Sequence, residues 1–260
     1  MNHRKQALGM TPAVLLAVVL LLAAGVRPAA AQATSIFSQD LTLQETTTMT
    51  GMPMASGKAT TSTKYFSGNA MRTVSSTGED SIIRFDQQKI MQIDHQQKSY
   101  SEMTFQQLQE MLDKLGSDPG VDNKQAAEAM KQVFGQTMGQ VSVKPNGPGE
   151  PIAGYATEKY LVSMTPMEMQ LWTAPELTIP PIYYDAMKLN ARKNPMFDMS
   201  KMLDEFKKIK GMTLKTVMSM KMMGMNMETT TVATSVEKGP IPASKFEVPA
   251  GYKAVPMKMR

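Results

Sequence analysis

Two textures divide the chain. From Thr34 to Met103, Thr, Ser, Val and Ile dominate short runs set apart by turn residues. This predicts strands over 36–48, 58–66, 71–76, 81–86, 89–94 and 98–103, with turns at Ser67-Gly68-Asn69 and Thr77-Gly78-Glu79-Asp80. Links this short cannot carry a parallel crossover, so the strands form an antiparallel meander. The middle of the chain switches to helical spacing. Phe105, Leu108, Met111, Leu112 and Leu115 share one face behind the N-cap candidate Thr104, and Ala126, Ala129, Met130, Val133 and Phe134 share another behind Asp122.

Residues 145–151, PNGPGEP, read as a loop. Strands return over 152–164 and 167–172 around Thr165-Pro166. The segment 175–194 is bounded by prolines and reads as loop with a short helix, and Met199, Met202, Leu203, Phe206 and Ile209 predict one more amphipathic helix. From Gly211 the pattern is β again. The run MSMKMMGMNM over 218–227 reads as the tip of a hairpin around Gly224. On its incoming strand Met212, Leu214, Met218, Met220 and Met222 alternate with Thr213, Lys215, Ser219 and Lys221, which assigns the first set to one face. Met223, Met225 and Met227 fall at or beyond the turn. A second methionine knot, Met49, Met52 and Met54, lies at another chain reversal.

Together these elements predict an α+β fold. One curved antiparallel sheet, an unclosed half-barrel, has helices packed on its concave face because their apolar stripes need cover.

Several stretches carry a family likeness in this order: Tyr65-Phe66-Ser67-Gly68-Asn69-Ala70-Met71-Arg72, Ile82-Ile83-Arg84-Phe85-Asp86, Lys89-Ile90-Met91-Gln92-Ile93-Asp94, Ile152-Ala153-Gly154-Tyr155 and Phe246-Glu247-Val248-Pro249-Ala250-Gly251-Tyr252. The chain resembles an uncharacterised family of exported bacterial domains, itself similar to the periplasmic lipoprotein-carrier (LolA-like) superfamily. The resemblance implies a half-barrel that holds acyl chains between sheet and helices. Arg72 and Arg84 are the candidates, by strand placement, for the arginine such carriers hold in their cavity.

The N-terminus adds an address. Arg4 and Lys5, the apolar run from Val14 to Val26 and the sequence Ala29-Ala30-Ala31-Gln32-Ala33 describe a secretory signal peptide over 1–33, cleaved after Ala31 or Ala33. The mature chain, 34–260, is then one periplasmic domain without a transmembrane segment. Three cations and no acid leave with the signal, so the formal charge of +5 falls to about +2. That is too small to argue a nucleic-acid partner. With no cysteine in the sequence, neither a disulfide nor a lipidated N-terminal cysteine is available.

Candidate chemistry is thin. The mature chain holds one histidine, His95, in a polar turn, and no nucleophile motif accompanies it, so no catalytic residue is assigned. Methionine dominates instead, with 27 in the chain. Three uses fit: ordinary core, an adaptable apolar ligand wall, or soft thioether ligands for copper(I). The leading expectation is a non-catalytic periplasmic carrier for a lipid or lipidated partner. Its wall is Leu108, Met111, Leu112, Met202, Phe206, Leu214, Met218, Met220 and Met222. The alternative is a copper(I)-binding protein using Met49, Met52, Met54, Met222, Met223, Met225 and Met227. A third reading is an envelope sensor or structural protein without a small ligand.

Overall fold

A computed structural model describes residues 35–51, 57, 59–108, 110, 141–164, 167–179, 199–222 and 225–257, without the side chains of 199–202, 221, 222 and 225. In chain order the strands are β1 (Phe37–Thr50), β2 (Thr60–Gly68), β3 (Ala70–Ser75), β4 (Glu79–Arg84), β5 (Lys89–Asp94), β6 (Ser99–Thr104), β7 (Ser142–Ile152), β8 (Tyr155–Met164), β9 (Met167–Ala174), β10 (Met212–Met222), β11 (Met225–Lys238) and β12 (Lys253–Ala254). They form one twelve-stranded sheet in the order β12-β6-β5-β4-β3-β2-β1-β11-β10-β9-β8-β7. Its two ends do not meet. Every pairing is antiparallel except β12 with β6.

The expectation of an α+β fold with helices covering the sheet is corrected. Among the described residues, helix is limited to a turn at 105–108 with residue 110, the Met199–Phe206 helix and a 3-10 turn at Ala243–Phe246. Of the expected helices, the described residues hold the start of the one behind Thr104 and the one at Met199–Phe206. Thr104 and Gln107 form a reciprocal capping box, the Gln107 N–H donating to Thr104 Oγ1 at 3.1 Å and the Thr104 N–H to Gln107 Oε1 at 2.8 Å. All of the helical pattern between 111 and 140, with Met111 and Leu112, lies outside the described residues, as does 180–198.

One face of β3–β6 is covered by the C-terminal segment, the Ala243–Phe246 3-10 turn and the irregular chain around it. Phe246, Ile241, Val248 and Tyr252 of the C-terminal segment pack on Ala70, Ile82, Met91 and Ile93. The opposite face carries the main core, where Ile83, Phe85 and Ile90 meet Phe105, Leu108, Tyr160, Val162 and Phe206. Ile82 and Ile83 go to different faces because side chains alternate along β4.

The PNGPGEP segment is strand rather than loop. It lies within β7, which pairs only with β8 and has two register shifts. An edge strand tolerates proline because its outward N–H groups need no ladder partner, and the prolines in turn deny that edge to another chain. The Met199–Phe206 helix is fastened to β7 through Glu205, whose carboxylate accepts the Val143 N–H at 2.9 Å. Lys208, with that N–H, holds the Glu205 carboxyl below its ordinary range. Leu203, Phe206 and Ile209 are buried beneath.

Candidate functional site

Strand register gathers the methionines. Met164 of β8 lies opposite Met167 of β9, Met167 opposite Met220 of β10, and Met220 opposite Met227 of β11. One step toward the sheet centre, on the same face, the row runs Val162, Met169, Met218, Thr229 and Met49 of β1. Directly opposed residues of antiparallel strands share a face, with Cβ atoms about 4.5–5.5 Å apart. Met164, Met169 and Met218 are buried in the main core with Leu108 and Phe206, and Met167 packs on it. Met220, Met227 and Met49 are half-buried. The face therefore grades from closed core to solvent toward the strand ends.

Met49 of one methionine knot and Met227 of the other come to this end of the face. Thr50 lies opposite Glu228, and a Cβ on Gly51 would overlap the Asn226 carbonyl oxygen, so the chain leaving β1 runs directly against the hairpin tip. Gly51 also has a φ of +84°, which glycine adopts without strain. The loop closes where the Gly57 N–H donates to the Met49 carbonyl at 2.9 Å.

The expected ligand wall is divided. Leu108, Phe206 and Met218 lie in one cluster, whereas Leu214 lies in another with Leu41, Leu43, Trp172 and Met212. A register shift between Thr213 and Lys215 separates Leu214 from Met218 and breaks the alternation that would have set them side by side. Met220 shares Met218's face. Met222 opposes Met225 in register, and Met202 lies in the Met199–Phe206 helix, but the side chains of all three lie outside the described residues. So do Met52, Met54, Met223, Met111, Leu112, Ala31 and Ala33 in full. Of the expected copper set, Met49 and Met227 are brought to one end of one face.

A polar assembly that the sequence reading missed lies on the opposite face of β3–β5. Asp80, expected in a solvated turn, is buried near the start of β4 with its side chain 1% exposed. Its Oδ2 accepts from Arg72 Nε at 3.2 Å and from Arg72 Nη2, and lies 2.9 Å from His95 Nε2. His95 Nδ1 lies 2.7 Å from the Tyr252 hydroxyl. The neutral ring satisfies both contacts when Nε2–H donates to Asp80 and Nδ1 accepts from Tyr252. Arg72 Nη1 also donates to the Lys245 carbonyl at 2.9 Å. Asp80 Oδ1 is buried and finds no hydrogen-bond partner among the described residues.

A hydroxyl, an imidazole and a carboxylate in line resemble a nucleophile relay. Here Arg72 bonds the same carboxylate oxygen as the imidazole, so Asp80 Oδ2 is shared between the two. Through Lys245 and Tyr252 the assembly ties down the C-terminal segment. Neither arginine candidate enters the main core: Arg72 serves this clasp, and Arg84 pairs with Asp86 at 2.6 Å. No local motif announces the clasp, because its four members are joined only by strand pairing and by the return of the C-terminus.

A second charged group surrounds the single tryptophan. Trp172 Nε1 donates to Glu150 Oε2 at 2.6 Å, and Lys215 bonds Glu150 at 2.7 Å while lying 4.3 Å from the indole ring centre. Lys215, together with the Glu150 and Trp172 N–H groups, holds the Glu150 carboxyl at about 2. Burial raises the Tyr160 hydroxyl above its ordinary value. No group of three or more His, Cys, Asp or Glu among the described residues is placed to hold a metal ion. No described helix is long and apolar enough to cross a membrane.

Among solved structures, PNGF-II is 11% identical over 85% of this chain at a TM-score of 0.40. MucB in complex with MucA(peri) is 11% identical over 84% of this chain at 0.38, and MucB alone is 9% identical over 94% at 0.39. The chain spans 31% of PNGF-II's length and 57% and 66% of the two MucB chains. Likenesses at this level carry no functional argument. No curated protein matches the chain. Residues 120–252, just over half of the sequence, match the family described as "Domain of unknown function (DUF4412)", and the chain belongs to that family.

Proposed function

We propose that this is an exported, non-catalytic binding protein for an apolar ligand such as an acyl chain or a lipidated partner. The observation that carries the reading is the methionine-lined face of β8–β11, which continues the main core out to half-buried side chains at the strand ends. Unbranched, polarizable methionines form a surface that re-packs around a flexible apolar guest at little cost. The Phe206 helix, fastened to the sheet edge by Glu205 and a short core contact, is the element that would move to admit a chain. The LolA-like resemblance supports the same idea, and the charged run and apolar stretch at the N-terminus support export to the periplasm as a single domain over 34–260.

The test is native mass spectrometry of the mature protein purified from its own envelope, with titration of a fluorescent fatty acid. Retained lipid, or uptake weakened by Met169→Ala or Phe206→Ala in a folded variant, is the expected result. A clean apo mass together with no fatty-acid uptake overturns the reading. N-terminal sequencing of the same sample checks export: a start after Ala31 or Ala33 is expected, and retention of Met1 in the folded protein overturns it.

A further inference from the structure

We propose that Met167, Met220 and Met227 form a thioether site for a soft monovalent ion, Cu(I) or Ag(I). The three lie directly opposite one another on β9, β10 and β11, with Met220 central. Opposed Cβ atoms about 4.5–5.5 Å apart bring neighbouring sulfurs, each on a side chain of three rotatable bonds, within reach of one ion. Burial is graded to suit entry. Met164, Met169 and Met218 are closed in the core, whereas Met220 and Met227 are half-buried, so the ion arrives from water and settles against an apolar floor.

The sheet also sorts the donors by hardness. Glu168 and Glu228 are chain neighbours of Met167 and Met227, and a ligand set read along the sequence would include them. In register they lie opposite Ser219, which itself alternates with Met220, so the row Ser163, Glu168, Ser219 and Glu228 belongs to the other face. The methionine face then offers this ion thioethers without carboxylates. Such a donor set suits Cu(I) and Ag(I) and rejects Zn(II), Mg(II) and Ca(II). Thioethers keep this capacity in an oxidising compartment where a free thiol would be lost. The set differs from the one drawn from sequence, which followed chain neighbours around Met49–Met54 and Met222–Met227 and shares with it Met227 alone.

Binding adds one ion and involves no redox step. Delipidated mature protein is titrated with Ag(I) by native mass spectrometry, and with Cu(I) in competition with a chromogenic Cu(I) chelator. One equivalent bound is expected. M220L/M227L should lower the affinity at least about tenfold at unchanged Tm, since Leu replaces Met at nearly constant volume. M71L/M103L, two core-packed methionines of the β3 and β6 wing, should change nothing. Zn(II) should not bind. Should the double variant fail to fold, methyl-labelled methionine NMR of the unaltered protein decides: Ag(I) is expected to shift a small set of resonances assigned to Met164, Met167, Met220 and Met227. Failure to bind either ion, binding that survives M220L/M227L, or uniform shifts across the methionines overturns the site. Fatty-acid uptake measured on the same samples stands or falls separately, so loss of one reading is distinguishable from loss of the other.

Discussion

In the β3–β6 wing, Asp80 gathers Arg72, His95 and, through His95, Tyr252 about a single carboxylate, and the result fixes where the C-terminal segment lies. In the β8–β11 wing the comparable span of sheet carries opposed methionines without such a clasp on their face. The first arrangement is specific and brittle: removing Asp80 or Arg72 leaves the other charge without its partner. The second is tolerant, because methionines exchange places and rotamers with small energy differences. The two properties are kept in separate wings of one sheet.

The largest expected effect tests the brittle side. Asp80→Ala leaves Arg72 without its carboxylate partner and should cost about 3–5 kcal/mol in urea unfolding. A loss under about 1 kcal/mol would dissolve the contrast. Next comes the close approach of Gly51 to the Asn226 carbonyl. Gly51→Ala places a side chain at positive φ, worth about 1–2 kcal/mol alone, and drives it into the Asn226 carbonyl. Amide exchange should quicken first at the ends of β1 and β11, and uniform quickening would contradict a local junction.

The tolerant side predicts smaller numbers. Met218→Leu, although buried, should cost no more than about 1.5 kcal/mol because volume is nearly conserved; a cost like that of Asp80→Ala would mean the methionine face is packed as rigidly as the clasp. Tyr252→Phe removes one hydrogen bond to His95 and should cost about 1 kcal/mol, with proteolysis of the C-terminal segment rising in parallel.

The smallest effect is electrostatic. The Glu150 carboxyl is lowered from 4.5 to about 2 by Lys215 and its N–H donors. A folded value below the unfolded one means that its stabilisation is present above about 4.5 and is lost as pH falls toward 2. Glu150 is half exposed, so the contribution should be a few tenths of a kcal/mol. It is read as the difference between wild type and Glu150→Gln narrowing over that window. A constant difference down to pH 2 would contradict it.

Local pattern carried much of the fold. The meander of β1–β6, the β8–β9 and β10–β11 hairpins and the Met199–Phe206 helix follow from alternation, turn residues and helical spacing, all of which act over a few residues. The strand at Pro145–Pro151 was hidden because turn chemistry and edge-strand protection use the same residues, and only position at the sheet edge separates the two uses. Leu214 was assigned to Met218's face because alternation has no memory of a bulge, and the shift at Thr213/Lys215 shows only once β10 is paired with β9.

By itself, then, the sequence determined most of the strands of β1–β6 and β8–β11, that methionine is the most abundant apolar residue, and that no cysteine chemistry is available. The tertiary structure alone decided which methionines stand side by side, that Glu168 and Glu228 turn away from them, and that Asp80, His95 and Tyr252 meet. The physical reason is common to all three. Each is fixed by how segments pair once the sheet closes its core, strand on strand or the returning C-terminus on β4 and β5, while local preference reaches only a few residues along the backbone.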